Sequence, residues 1–279
     1  MILFSLVSSI GIVITGLVIG FLSGLFGVGG GFLMTPILRL IFLIPYNIAV
    51  GSDLAAIAIT SFVGVLRHYK QSHVNFKIGL ILLVGILPGV EIGAKILVWL
   101  KDSGSIDVVL NFSFLTVFII ALVIMVIELI KWIKENKTSC DLSSYKIGFH
   151  CFKKKQDVDN SINVILLIFT GLIIGILQGM LGVGGGFLLI PVLVNFFCLP
   201  ARVVIGTCLF VICPSSAYGA LTHIIKGNVN FILVVLILSG SIIGTTIGST
   251  FTSKLKGKKI RFYFIFLIII AIIMMLIKI

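Results

Sequence analysis

Two stretches of the chain carry one glycine pattern, G-x-x-G-x-G-G-G-F followed by a short apolar run with a proline: Gly24, Gly27, Gly29, Gly30, Gly31, Phe32 and Pro36, then Gly179, Gly182, Gly184, Gly185, Gly186, Phe187 and Pro191. Three consecutive glycines break a helix, because glycine loses most backbone entropy on ordering and accepts positive φ. With no side chains in the way, the N–H groups opening the next short helix are accessible to a ligand, and the positive end of that helix dipole favours an anion. The chemistry expected of Gly27, Gly29, Gly30, Gly31 and Gly182, Gly184, Gly185, Gly186 is therefore a backbone cradle for a small anion, with Phe32 and Phe187 lining or gating it. Nucleotide loops are not matched. A dinucleotide fingerprint needs glycine where Phe32 and Phe187 stand, and neither copy has the Gly-Lys-Ser/Thr of a phosphate-binding loop.

Few other residues could do chemistry. Ser52 and Thr207 place a hydroxyl at matching positions after Gly51 and Gly206, and both join the candidate substrate contacts. Asp53 follows Ser52, whereas its counterpart is Cys208, so a carboxylate is present on one side only. An acid inside an apolar segment is a functional candidate, and Asp53 is the candidate for coupling proton movement. Glu91 and Lys95 are spaced to neutralise each other across one helical turn. His68 and His223 fall at matching segment ends, where solvated histidines are expected. The five cysteines form no paired metal spacing, and Cys140, His150 and Cys151 alone do not make a site. No nucleophile–base set, paired carboxylates or cofactor motif emerges, so neither covalent catalysis nor a cofactor is expected.

The elements that position these residues must be membrane helices. Of the 279 residues, 59% are hydrophobic and only 11% charged, too few to build a water-facing surface. Apolar segments cover 4–23, 32–44, 47–66, 78–100, 106–130, 161–181, 187–199, 202–224, 230–253 and 260–279. Eight reach the ~20 residues of a membrane span, while 32–44 and 187–199 have the length of half-helices. The opening segment lacks a basic flank and a cleavage site and runs directly into the first glycine pattern, so it reads as a first helix rather than a signal peptide. The net charge of +12 belongs to loops between apolar runs and not to a clustered basic face, which argues against nucleic acid.

The chain is a duplication. A shift of 155 lays residues 15–38 over 170–193 with 16 of 24 identical, and also pairs Pro45 with Pro200, His68 with His223, and Gly85, Gly89, Gly93 with Gly240, Gly244, Gly248. The expected division is a first membrane repeat (1–133), a polar cytoplasmic linker (134–160) and a second membrane repeat (161–279). If all ten segments cross, 16 of the 21 Lys and Arg fall on the cytoplasmic side and 5 outside; if the short ones are re-entrant, the split is 12 to 9. The positive-inside bias favours the first case. The fold class expected is an all-α polytopic membrane protein of two inverted repeats, about five spanning or half-spanning helices each, with its site between the repeats. The glycines spaced by four, Gly16, Gly20, Gly24 and Gly171, Gly175, Gly179, are expected to be helix-packing faces.

The paired GLFGVGGGFL-x-x-P-x-L and GMLGVGGGFL-x-x-P-x-L motifs, in a duplicated helical membrane chain, resemble the TauE/SafE sulfite exporter family, also called the toluene sulfonate uptake permease family. The resemblance covers both halves apart from the linker. It implies a secondary carrier of sulfite, sulfonates or related organic anions, commonly in a bacterial cytoplasmic membrane. Its partners would be the anionic substrate, the bilayer and coupling protons. A passive anion channel and a non-transporting membrane scaffold, docking through Lys134–Asn160 and Lys254–Arg261, are the alternatives.

Overall fold

The computed structural model describes residues 6–70, 74–135, 164–195, 201–252 and 257–278. Most of the polar linker, with Cys140, His150 and Cys151, lies outside them. Among the described residues the chain is all helix: α1 (Leu6–Phe26), α2 (Gly31–Leu40), α3 (Tyr46–Lys70), α4 (Phe76–Asp102), α5 (Ile106–Glu135), α6 (Val164–Leu181), α7 (Gly186–Asn195), α8 (Ala201–Ile225), α9 (Phe231–Thr252) and α10 (Gly257–Lys278). Each expected segment has become one helix. Seven of the helices are long and apolar enough to cross a membrane, while α2 and α7 have 10 residues each, about half of a bilayer core by the rise of an α-helix.

The halves interlock by exchanging partners. Helix α1 packs along α9, and its counterpart α6 along α4. Both contacts are made by glycines on both helices. A β-carbon on Gly16 would lie 2.7 Å from the Ile237 carbonyl oxygen, and one on its mate Gly171 would lie 2.7 Å from that of Leu82. From the other side, β-carbons on Gly240, Gly244 and Gly248 would strike the backbone of α1, and those on Gly85, Gly89 and Gly93 the backbone of α6. Lipid supplies no hydrophobic drive for helix pairing, so close backbone approach through small residues is what holds such helices together. The rise in residue number along both partners shows that α1 runs parallel to α9 and α4 parallel to α6.

Helix α3 packs on its own counterpart α8, and here the direction reverses. The β-position of Gly64 meets Leu209 at 3.1 Å while that of Gly219 meets Leu54 at 3.1 Å. The ends of this pair are tied reciprocally: the Asn75 N–H donates to Thr207 Oγ1 (3.0 Å) and the Asn230 N–H to Ser52 Oγ (2.9 Å). Gly244→Val, at the α1–α9 seam, is expected to cost about 1–3 kcal/mol through overpacking, read as a lower thermal midpoint in detergent. Gly227→Ala serves as a comparison: Gly227 has φ 68° but nothing within 4 Å of its β-position, so only about 1–2 kcal/mol of backbone strain is expected.

Candidate functional site

Each long first helix of a repeat ends in a turn that only glycine can follow. Gly27, Gly29 and Gly30 have φ of 73°, 83° and 76°, and Gly182, Gly184 and Gly185 have 73°, 68° and 73°. These are left-handed conformations, costly for any residue with a β-carbon. The chain leaves α1, makes the turn and re-enters helix at Gly31, with Gly30 in the N-cap position of α2; the second repeat does the same into α7.

The two turns meet in the protein's interior. A β-carbon on Gly31 would lie 2.5 Å from the Gly182 carbonyl oxygen, and one on Gly186 would lie 2.7 Å from that of Val28. Both turns lie against Ile57 of α3 and Ile212 of α8, which are themselves repeat mates: a β-carbon on Gly29 or on Gly184 would lie 3.1 to 3.6 Å from both side chains. Phe32 and Phe187 are buried and stack with centroids 5.9 Å apart, and Phe118 of α5 closes on the edge of each at 6.4 and 5.9 Å. Two discontinuous helices are thus joined by an aromatic cluster where their breaks converge.

Beside the first turn lies a cavity of about 20 Å³. Its polar lining comes from Ser23 of α1, Asp53 and Thr60 of α3, and Ser241 of α9, with Gly29 and Gly30 forming one wall. Asp53 is 2% exposed and accepts a hydrogen bond from Thr35 Oγ1 at 2.8 Å; among the described residues no cation lies within ion-pair distance of it. Thr60 donates to carbonyls of its own helix, those of Ala56 and Ile57. The Ser23 and Ser241 hydroxyls have no hydrogen-bond partner among the described residues, at 1% and 5% exposure.

The second turn differs. At the position matching Ser23 stands Gln178, whose Nε2 donates to Ser215 and Ser216 Oγ at 3.0 Å each and whose Oε1 accepts from Ser215 at 3.2 Å. The Gln178 Oε1 reaches to 3.4 Å from the β-position of Gly185. Ser241, Asp53 and Thr60 are matched by Ile86, Cys208 and Ser215.

The structure therefore brings the glycine turns, Phe32, Phe187 and Asp53 together, whereas it places Ser52 and Thr207 at the α3–α8 helix ends, holding Asn230 and Asn75 outside the cavity lining. Sequence reading missed Ser23, Ser241, Thr35 and Gln178. The available signal was at position 23 and its mate, where a nearly identical motif changes one polar residue for another. The histidines are corrected: His68 and His223 are 1% and 0% exposed, not solvated. Each ring is buried two residues before the end of its helix, α3 ending at Lys70 and α8 at Ile225, and His223 Nε2 lies 3.2 Å from the Gly179 carbonyl oxygen. Glu91 and Lys95 pair as expected at 3.5 Å.

Broken helices meeting in the interior of a bundle of apolar spans define a multi-pass membrane protein of the transporter class. The sulfite exporter TauE/SafE profile matches residues 12–275, and the chain belongs to that family. Among its relatives are the probable membrane transporter proteins YunE and YdhB of Bacillus subtilis (strain 168), each 27% identical, over 89% and 87% of this chain and 90% and 89% of theirs. The probable membrane transporter protein MJ0441 of Methanocaldococcus jannaschii is 31% identical over 65% of this chain and 60% of its own. No solved structure matches significantly.

Proposed function

We propose that the protein is a secondary active transporter of a small anion, sulfite or a sulfonate-like relative in the first instance, working by alternating access in a bacterial inner membrane. The observation that carries this is the convergence of two helix breaks, where α2 and α7 begin, with a small cavity holding Asp53 beside the first of them. The two five-helix repeats are inverted. That reading is supported by α3 running antiparallel to its own repeat mate α8, while α1 runs parallel to α9 and α4 to α6. Were the short helices re-entrant, only four helices per half would cross and α3 would run parallel to α8. The substrate binds against the glycine turns, with Ser52 and Thr207 setting the helix ends around them, and Phe32 and Phe187 gate it. Asp53 receives the coupling ion, a proton in the simplest case. The lysine-rich linker 134–160 lies on the cytoplasmic side.

The test is uptake of isotope-labelled sulfite into proteoliposomes, with and without an imposed ion gradient. Saturable, gradient-driven accumulation is expected, and Gly30→Leu/Gly185→Leu, checked for folding, should abolish it by filling both turns. Flux that never saturates and never concentrates sulfite would identify a channel instead. Absence of flux for sulfite, sulfonates and carboxylates alike would withdraw the transport reading.

A further inference from the structure

We infer that the cavity formed by Ser23, Asp53, Thr60 and Ser241 is a binding site for a single sodium ion, and that the protein has one such site per chain because Gln178 occupies the equivalent place in the second repeat. Sodium rather than a bare proton is indicated by the oxygens. A proton on Asp53 would neutralise the carboxyl but leave two buried serine hydroxyls without partners, a cost that native interiors avoid. A small hard cation uses all of them: a carboxylate to balance its charge and hydroxyl oxygens to replace its water. Thr60 spends its proton on its own helix, so it offers the cavity only lone pairs.

Size agrees. A volume of about 20 Å³ admits one particle the size of a water molecule, too little for a three-oxygen sulfur anion. Helix dipoles do not select the sign of the charge here: Ser23 lies in the last turn of α1, at its negative pole, while Gly30, also in the lining, caps the positive pole of α2. The selection falls to the Asp53 carboxylate and the hydroxyl oxygens.

The asymmetry sets the number of ions. In the second repeat Asp53 is replaced by Cys208 and Ser241 by Ile86, and the Gln178 amide satisfies Ser215 and Ser216 from within the chain. The carboxylate and the unpartnered serines are lost together, so there is nothing left for a second cation to neutralise. That this ion drives transport rests on the reading above; its binding does not.

The test uses the purified full-length chain. Its thermal midpoint is measured in NaCl, KCl and choline chloride at equal ionic strength, and bound radioactive sodium is counted by equilibrium dialysis. A saturable rise in midpoint specific to NaCl, with one sodium per chain, is expected. Ser23→Ala and Ser241→Ala, on different helices and checked for folding in choline chloride, should each weaken sodium binding about tenfold, while Gln178→Ala leaves it unchanged. Equal midpoints in the three salts with no sodium bound, or sodium binding that both serine variants leave intact, overturns the site. If neither variant folds, the wild-type sodium count decides. Sodium binding without uptake of any anion would remove the transport reading and keep the site; anion uptake by a protein that binds no sodium would do the reverse.

Discussion

Gly31→Ala is expected to remove transport and to lower the thermal midpoint of the purified protein, at a cost of about 2–3 kcal/mol. The added carbon would lie 2.5 Å from the Gly182 carbonyl oxygen and 3.1 Å from Asp53 Oδ2. Neither neighbour can give way. The carbonyl belongs to a turn already held in a left-handed conformation, and the carboxylate is fixed by Thr35. Gly186→Ala should behave alike through the Val28 carbonyl. Gly30→Ala makes the useful contrast. Its β-position has 3.4 Å to Ile19 and 3.5 Å to Ser23, so the expected penalty is backbone strain alone, about 1–2 kcal/mol. Unfolding curves and uptake measured on the three variants separate contact between the turns from the strain within each. A Gly31→Ala protein with the wild-type midpoint would mean that the turns do not touch as found.

That contact joins the two halves into one site. Each repeat places only half of the convergence point: Ile57 and Ile212 each face both turns, and the cavity draws Ser23 and Asp53 from the first repeat but Ser241 from the second. A movement that separates the repeats would dismantle the cavity and the Phe32–Phe187 stack together. On the proposed reading, a substrate and an ion bound there would report on the same rearrangement, which is what coupling requires.

Much of this was legible from the chain. Ten apolar runs became ten helices, and Gly16, Gly20, Gly24 and Gly171, Gly175, Gly179, read as packing faces, do pack against backbone, Gly16 on Ile237 and Gly171 on Leu82, the mate of Ile237. Gly85, Gly89, Gly93 and Gly240, Gly244, Gly248 were visible as repeat partners, but not as the surfaces opposing Gly16–Gly24 and Gly171–Gly179, because pairing between halves is a tertiary choice. The histidines were misplaced for a local reason. An apolar window marks where greasy residues stop but not which face of the helix a residue at its edge takes, and both rings are buried within two residues of their helix ends. Ser23 and Ser241 were hidden for the opposite reason: serine within a span commonly bonds its own helix, and only the three-dimensional structure shows that these two do not.

Asp53→Asn should uncouple the protein without dismantling it. The amide has nearly the shape of the carboxyl, and its oxygen can still accept from Thr35, so the fold and the glycine turns are expected to persist, with a thermal midpoint in choline chloride close to wild type. What is lost is the single buried negative charge available to a coupling ion in this cavity. An accumulated anion is then no longer tied to the ion's downhill movement, and the inside-to-outside ratio should fall to that of vesicles without a gradient. Exchange of labelled for unlabelled anion at equal concentrations, which needs no net ion movement, should continue. Cys208→Asp places the same charge at the mate position and gives the converse check. Gln178 already fills that side and Ile86 offers no oxygen, so the new carboxylate would be buried without a partner, destabilising by several kcal/mol and restoring no coupling to the Asp53→Asn background. Recovery of accumulation in the double variant would show that the two repeats are interchangeable in ion binding, against the asymmetry of their polar residues.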